Sequence, residues 1–553
     1  MKDNSPLRTF LIYGLLLGGT AIHPLPFLWM AGRSVMNDRE LFASDLSFLP
    51  AAPVPARTSP YLDTRAVPKP ADEAAFEKAR APILAAFDAS GWAAPGWLTQ
   101  TNGLREAAAA GLYRRLQDLL PADAWDNPAA LEPQLRQRVN PELVDGVMRN
   151  LIRGLTVGGI RARSIDLQEE VITLKAPASK LWALGDPTGV TIADTTENNQ
   201  PQGVIQYDFA QRGGKDIVLN STFDLPFRAD RIRRLEFSFR PDDSWHALRF
   251  RLEYGGKVYE TVRPQWLGER EWTVVTLQPG GPDDAYDSTK IRFWIPWREV
   301  AGAASDVTAP NQMRVTLTVA ESNRADAWRA KITRNYTGAM TNMPFWRYTL
   351  TSVMLVILNI IGSILSCSLA AFAYARMQWP GRNFSFMLLL ATMMIPPQVT
   401  MIPFFLIIRY LGWYNTLTPL WAMSFFGNAF NIFLLVQFMK GIPRDLEDAA
   451  RIDGCNSLQT WWHVFIPLVK PTLACIAIFT FMGVWNDFMG PLIYLGDQRL
   501  YPLSLGLYAF NVQAGGNAGM MMAGSLLMTI PVIAIFFMAQ RYFIQGITLT
   551  GIK

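Results

Sequence analysis

The chain has 553 residues, 50% of them hydrophobic and only 18% charged, with 18 tryptophans, a composition foreign to a wholly soluble protein. A mean hydropathy of +0.11 is in turn too low for a protein lying wholly within a membrane, so two compartments are expected in one chain. The net charge of +5 comes without a lysine-rich run or a recognition motif, which removes nucleic acid from the expected partners and leaves the basicity as loop charge.

The first apolar run, 10–30, is 21 residues without a formal charge, enough for a bilayer core that needs ~20. A signal peptide is the competing reading. Trp29-Met30-Ala31 is a poor small-x-small cleavage site, so a retained span kinked near His23, Pro24 and Pro26 is expected. From Arg33 to Phe345 no run is long enough to cross a membrane, and this stretch is expected to fold outside it with room for two cores. Residues 34–71, rich in Pro and Ala, suggest a tether. Leu112, Leu116, Leu119 and Leu120 then follow helical spacing, as do Val144, Val147, Met148 and Leu151 behind a helix-starting Pro141.

After Arg161 the period becomes two. Leu248-Arg-Phe250-Arg-Leu252-Glu-Tyr254 alternates without error, Leu235–Arg240 repeats the pattern, and 273–277 and 314–319 add β-branched runs, with Gly255-Gly256 a hairpin turn. Short strands at this spacing predict a β-sandwich. Residues 203–280, with YDF, FDLP, LEFSFR and REWTVVTL, resemble a galactose-binding-like jelly roll of the carbohydrate-binding type. Trp245, Trp266, Trp272 and Trp294 offer flat faces for sugar rings, with Trp297, Tyr254 and Tyr259 beside them and Asp242, Asp243, Arg249 and Arg263 as polar partners. The bland reading of any one of these tryptophans is a sandwich core, and the domain's other possible role is docking a solute-binding protein. All three cysteines, Cys367, Cys455 and Cys475, lie outside this domain, which therefore carries no disulfide. With three histidines, no C-x-x-C and no H-E-x-x-H, no metal site is expected, and no catalytic residue set is found.

Five further apolar runs follow, at 348–374, 384–408, 417–438, 473–495 and 520–543. Arg376 and Arg382 follow the second span, Lys440, Arg444 and Arg451 the fourth, and Arg541 and Lys553 the sixth, while Lys2 and Arg8 precede the first. The positive-inside rule then puts both termini in the cytoplasm and 33–345 outside, with Arg409 the one exception. Within these runs Pro396-Pro397-Gln398 interrupts a helix, and Trp485, Asn486 and Asp487 set an aromatic, an amide and a carboxylate side by side. These six are the candidate substrate-path residues. An interhelical hydrogen bond is the plainer role for Asp487.

Residues 441–470, GIPRDLEDAARIDGCNSLQTWWHVFIPLVK, form a polar insert between two apolar runs. Pro443 and the acids Asp445, Glu447 and Asp448 suit a helix start; Gly454 suits its end, and Ser457 a cap for a second short helix through Trp462. Glu447, Ala450, Arg451 and Gly454 share one helical face, small and charged, fitted to a close partner rather than to lipid.

Glu447-x-Ala449-Ala450-x-x-x-Gly454 with Ile466-Pro467 downstream resembles the EAA loop of bacterial ABC importer permeases. LAAFAYARMQWPGR, MMIPPQVTMIPFF, FMGVWNDFMGPLIY and QRYFIQGITLTGIK extend the likeness to the MalG-type carbohydrate permease subunit. Asp448 inside the triplet and Cys455 after the glycine are departures, and the large domain after the first span is foreign to that layout. The resemblance implies a multi-pass subunit of the inner membrane, with coupling to an ABC ATPase dimer through Glu447, Ala449, Ala450, Asp453, Gly454 and Pro467. It further implies a second permease subunit in a heterodimer, a solute-binding protein, a sugar cargo, and ATP and Mg on the partner rather than on this chain. No G-x-x-x-x-G-K-[ST] loop occurs here, so the chain is not its own P-loop ATPase and is not an enzyme.

The expected architecture is mixed, a six-helix polytopic membrane domain plus an α+β insert containing a jelly-roll-like β-sandwich. Its parts are the first span at 1–32, a tether and helical subdomain at 33–160, the sandwich at 161–335 and the permease core at 336–553. Residues 33–345 are then extracytoplasmic, or periplasmic in a Gram-negative cell. Two rival functions stay open on the sequence: a membrane-anchored carbohydrate receptor and an ion-driven secondary transporter, the latter without the internal repeat it calls for.

Overall fold

The computed structural model of the protein describes residues 6–42, 47–63, 72–98, 103–117, 119–121, 125, 128–164, 172–174, 176–197, 199–280, 291–513 and 517–548. Lys2, Lys553 and residues 64–71 of the expected tether lie outside the described residues. Contacts divide the chain into a membrane-type unit (1–50, 284–292 and 334–553) and a β-rich unit (51–283 and 293–333).

In the β-rich unit four helices, Glu73–Ala89, Leu104–Gln117, Pro128–Arg138 and Pro141–Leu151, bury one shared apolar core that includes Ile83, Leu112, Leu116, Leu131 and Leu135. The last helix starts as its sequence suggests. Pro141 occupies the first turn, and the Asn140 side chain accepts from the Leu143 amide at 2.8 Å, which satisfies a donor that the helix itself leaves free. Val144, Val147, Met148 and Leu151 all face inward. Leu119 departs from its predicted stripe: the helix ends at Gln117, leaving Leu119 38% exposed while Leu120 is buried.

Among the described residues, Tyr61–Leu62 and Ile152–Arg153 pair in a small ladder of their own, and the other strands of this unit form one hydrogen-bonded sheet. Its principal strands, in sheet order, are Gln200–Asp208, Leu155–Ser164, Ile232–Arg240, Thr273–Pro279, Ile295–Ala304, Lys257–Thr261, Ala247–Tyr254, Gln312–Ala320 and Ile217–Asp224. Every neighbour in that series is antiparallel except Thr273–Pro279 beside Ile295–Ala304, which is parallel. Phe237 and Phe250 sit four strands apart, about 19 Å on a flat sheet at ~4.8 Å per strand. Their rings are nevertheless 5.0 Å apart, so the sheet doubles over and shuts its apolar faces between its halves. The free space left between them is about 10 Å³, room for no ligand.

Gly255 and Gly256, with φ of +59° and +75°, make the two-residue turn that pairs Tyr254 with Lys257. The sheet also draws on residues ahead of Arg161: Thr58–Ser59 pairs with Gln200–Asp208, and the strand Leu155–Ser164 opens at Leu155. Gly158 and Gly159 hide this from period-two reading, because the pairing slips there from Phe237 opposite Ile160 to Phe239 opposite Val157, a bulge in the ladder.

Among the described residues the membrane-type unit contains four helical stretches long and apolar enough to cross a bilayer: Ile12–Ser34, Phe345–Arg376, Thr418–Lys440 and Ala518–Met538. The number rises to six if each of two bent pairs is one span. The first stretch breaks where expected, with Pro6–Ile22 and Leu25–Ser34 meeting at His23-Pro24. Arg382–Thr392 and Pro397–Tyr410 meet at 100°, where Pro396 and Pro397 withhold the amides a continuous helix needs. Ser457–Leu468 and Lys470–Trp485 meet at 80°. The expected run 473–495 is interrupted too, as its helix stops at Trp485 and a short helix, Met489–Tyr494, follows.

Helix Phe345–Arg376 has the polarity of a lipid-facing element. Trp346, Leu350, Ile357, Ile361 and Leu369 point outward, while Ser352, Asn359, Ser363 and Ser368 are buried. Asn359 donates to the carbonyls of Leu355 and Leu420 at 2.8 and 2.9 Å, and Ser366 donates to Gly362 and Ser424 at 2.7 and 2.8 Å. These bonds tie the helix to the segment that opens Thr418–Lys440.

Candidate functional site

Within 441–470 the first helix is Asp445–Ile452. It ends on Gly454, φ +83°, with the Gly454 amide donating to the Arg451 carbonyl at 3.0 Å and the Cys455 amide to Ala450 at 2.9 Å. This is the Schellman arrangement, in which a left-handed glycine lets two late carbonyls find donors. The next cap is Asn456, one residue ahead of the expected Ser457. Its side chain accepts from the Gln459 amide at 2.9 Å while Gln459 accepts from Asn456 at 2.8 Å, and that reciprocal pair outcompetes a lone serine.

The second helix runs to Leu468, beyond the expected Trp462, through a wide π-type turn at Trp461–Phe465. Pro467 lacks an amide and would press its ring on the carbonyl four residues back, and the widened turn relieves that conflict. Pro467 itself is exposed.

The helix Asp445–Ile452 presents two faces of different kind. Glu447 and Ala450 are buried against the chain's own body. One Glu447 oxygen accepts from Arg451 at 2.7 Å and the other lies 4.0 Å from Arg376, the last residue of Phe345–Arg376. The Arg376 guanidinium donates to the carbonyls of Met439 and Ile442 and lies 4.9 Å from the centre of the Phe465 ring. One buried arginine thus holds together the end of a long helix, the end of Ala429–Lys440 and the start of the loop.

Ala449, Arg451, Asp453 and Gly454 face outward, as do Leu446, Ile452, Leu458 and Trp462. Ile452 is 87% exposed, high for an isoleucine on a short polar helix. The face expected to carry Glu447, Ala450, Arg451 and Gly454 together is therefore divided, with the first two turned inward. Sequence reasoning read Arg376 only as a topology charge. The available signal was an arginine ending an apolar run just ahead of a loop that carries a buried acid.

The candidate path residues are split as well. Pro396, Pro397 and Gln398 are exposed at the bend. Trp485 is buried, donates its indole N–H to the Met528 carbonyl at 3.1 Å and stacks on Phe481, which makes it a packing residue. Asn486 caps the end of its own helix by donating to Met482 at 2.9 Å, with its side chain exposed. Asp487 is half-buried, with one oxygen accepting the Gly490 amide at 3.1 Å.

Among the candidate sugar platforms Trp245 is a correction. It is 2% exposed and lies over Gly268, where a Cβ would fall 2.6 Å from the indole, so neither face is open to a ligand. Trp266 packs beside it, half-buried. Trp272 lies under the Arg240 guanidinium at 5.6 Å, and Trp294 is half-buried. Trp297 is closed off too, donating to the Tyr254 hydroxyl at 3.3 Å, and Tyr254 stacks on Tyr259.

Asp242 is fully buried, accepting from the Tyr207 hydroxyl at 2.6 Å. Neighbouring His246 accepts the Ser322 amide on Nδ1 at 3.0 Å, so its proton sits on Nε2 and is donated to the Ala56 carbonyl at 2.8 Å. Burial holds its pKa below the ordinary histidine value, with Asp242 pulling the other way. Among the described residues no cluster of His, Cys, Asp and Glu is suited to a metal ion.

Residues 362–549 match the family described as binding-protein-dependent transport system inner membrane component. The arabinooligosaccharides transport system permease protein of Halalkalibacterium halodurans is 34% identical over 209 residues, 38% of this chain and 75% of that protein. The galactooligosaccharides transport system permease protein of Bacillus subtilis is 31% identical over 215 residues, covering 38% of this chain and 76% of its own. A crystal structure of a bacterial ABC transporter involved in the import of the acidic polysaccharide alginate aligns at 27% identity over 38% of this chain and 79% of that one. Its TM-score of 0.34 is too low to carry a fold argument.

Proposed function

Because the chain belongs to the binding-protein-dependent transport system inner membrane components and is the permease subunit of an ABC importer, not an enzyme, we propose that it carries a sugar or oligosaccharide and is driven through Asp445–Ile452 by a separate ATPase dimer. The observation that supports the drive is the division of that helix. Its inner face is anchored by Glu447 and Arg376, while Leu446, Ile452, Leu458 and Trp462 leave an apolar outer surface on an otherwise polar loop. Exposed apolar groups rimmed by charge are what a docking partner covers.

ATP and Mg bind the partner in this reading. Closure of the ATPases displaces the loop, and Arg376 passes the displacement to the ends of Phe345–Arg376 and Ala429–Lys440 together, since from the terminus of one it holds the Met439 carbonyl of the other and the Ile442 carbonyl of the loop. The cargo assignment is supported by relatives named for arabinooligosaccharides and galactooligosaccharides and one named for diacetylchitobiose uptake. A second permease subunit and a solute-binding protein complete the assembly. Counting Arg382–Thr392 with Pro397–Tyr410 as one bent span and Lys470–Trp485, without the helix before it, as another gives six, with both termini and the loop ahead of Lys470 cytoplasmic and 33–345 outside, a topology supported by Arg376, Arg382, Lys440, Arg444 and Arg451 near the inner ends.

The receptor and secondary-transporter readings have no observation in their favour. Gly454→Asp tests the coupling. A side chain at φ +83° strains the loop's turn and adds charge to its outer face, so uptake of labelled oligosaccharide falls by about tenfold or more while membrane insertion persists. Unimpaired uptake would refute the coupling role.

A further inference from the structure

The β-rich unit carries a second feature that none of the expected sugar residues predicted. A cleft of about 400 Å³ opens between the helix Pro141–Leu151, the loop after Glu73–Ala89 and the edge strand Val190–Glu197. That volume lies within the ~300–1,000 Å³ of small-molecule sites. Trp92 and Trp97 line one side, both half-buried, with Asp145, Arg149, Glu197 and Arg240 among the residues around it.

Its charges cancel. Arg149 Nε donates to Asp145 at 2.7 Å and Arg240 lies 3.3 Å from Glu197. Arg153 and Arg270, also lining residues, share Asp63 at 3.6 and 2.7 Å, and Arg270 bonds Asp243 besides. Four lining guanidiniums are thus matched by four carboxylates, two in the lining and Asp63 and Asp243 behind it, which leaves no net charge for an ionic ligand. The lining still presents both donors and acceptors, with Thr195 adding a hydroxyl on the strand face that also carries Glu197.

We propose that this cleft binds a neutral saccharide, with apolar C–H faces against Trp92 or Trp97 and hydroxyls toward the guanidinium–carboxylate pairs and Thr195. A ligand that is at once uncharged, rich in hydroxyls and flat on one side matches each of these features. An acidic ligand would have to break an existing ion pair, and an apolar one would strand the charged wall. The proposal rests on the sugar reading above and adds to it a recognition site in the β-rich unit, separate from the closed interior of the doubled sheet.

The test uses the full chain in lipid nanodiscs, titrated by ligand-observed NMR with arabinotriose, galactotriose and diacetylchitobiose, and with trigalacturonate as the acidic comparator. At least one neutral probe is expected to bind saturably, about tenfold more weakly to Trp97→Ala, in keeping with loss of one aromatic contact. Thr195→Trp, at a half-buried position on the same strand face as Glu197, which bonds Arg240, fills the space without entering the core and is expected to abolish binding. Failure of all neutral probes on the unmodified chain, binding unmoved by both variants, or binding of trigalacturonate alone would each overturn the proposal. Uptake assays separate the two readings. Import of a probe whose binding ignores both variants defeats the cleft and leaves the cargo assignment standing, whereas cleft binding without import of any probe does the reverse.

Discussion

Helix Phe345–Arg376 and strand Gln312–Ala320 place their polar residues on opposite sides. In the helix the serines and Asn359 point inward and the large apolar residues outward. In the strand Met313, Val315, Leu317 and Val319 are buried and Arg314, Thr316 and Thr318 alternate with them toward the surface. The β-rich unit is organised by expelling water from apolar groups. The membrane-type unit gains nothing by hiding leucine from lipid, so its helices associate through close packing and short polar bonds to carbonyls.

Their buried arginines differ in the same sense. Arg270 is neutralised by the carboxylates of Asp63 and Asp243, whereas Arg376 spends its donors on the carbonyls of Met439 and Ile442 and keeps Glu447 at 4.0 Å. By that contrast, charge-preserving substitutions should be tolerated differently in the two units. The largest expected effect is at Arg376. Arg376→Lys retains the charge, but its single nitrogen cannot stand in both for Nη2, which takes the Met439 and Ile442 carbonyls, and for Nη1, which faces Glu447, so oligosaccharide uptake should fall nearly as far as in Arg376→Ala, by about tenfold or more, with the protein still inserted. Combining Arg376→Ala with Glu447→Gln should add little to either alone, because both remove the same linkage. Additive losses, or full activity of the lysine variant, would break the comparison on the membrane side.

Asp63→Ala is the counterpart in the β-rich unit. It removes the carboxylate shared by Arg153 and Arg270, both largely buried, and should cost about 3–5 kcal/mol of that unit's stability. Thermal unfolding followed by tryptophan fluorescence reads this directly, and a loss below about 1 kcal/mol would mean that the network is hydrated and weak.

These two sites also mark how far the sequence could be read. Where local chemistry decides, the residues were legible: Pro396-Pro397 breaks its helix, Gly454 ends one, Pro141 starts one, and Gly255-Gly256 turns a hairpin. Alternation from Leu248 to Tyr254 identified a strand because one face of it is buried. What depended on distant neighbours was not legible. The short helix Asp445–Ile452 mixes charges and small residues on more than one face, and only the position of Arg376 turns Glu447 inward. Trp245 looks like any exposed tryptophan until Gly268 is seen to make room for it. Trp92 and Trp97 stand in a Gly/Pro/Ala-rich stretch with no periodicity, and the helix and strand edge that complete their cleft come from elsewhere in the chain.

A smaller effect sharpens the account of burial in the β-rich unit. His246 is neutral in the fold, with Nδ1 occupied by the Ser322 amide, and its pKa is lowered by burial. The unfolded chain therefore takes up the proton first as pH falls below about 6.5. Stability contributed at this position is present above that pH and is lost on descending from it toward the depressed folded value. Unfolding temperatures of the full chain should decline over that window, and His246→Gln, which can still accept and donate but does not titrate, should flatten its share of the decline. An unchanged slope in the variant would assign the pH dependence to other groups.

The smallest expected effect concerns the backbone alone. Gly255 has φ +59° and open space where a Cβ would go, so Gly255→Ala meets no neighbour and suffers only the left-handed conformation. The cost should be about 1 kcal/mol, a shift of roughly 2–4 °C in the unfolding of a unit this size. Its turn lies at the surface of a sheet held by apolar burial on the far side of both strands, so oligosaccharide uptake should not change. A loss of transport from this substitution would mean that the hairpin touches a partner, and the β-rich unit would then contribute to the import cycle through that turn as well as through its fold.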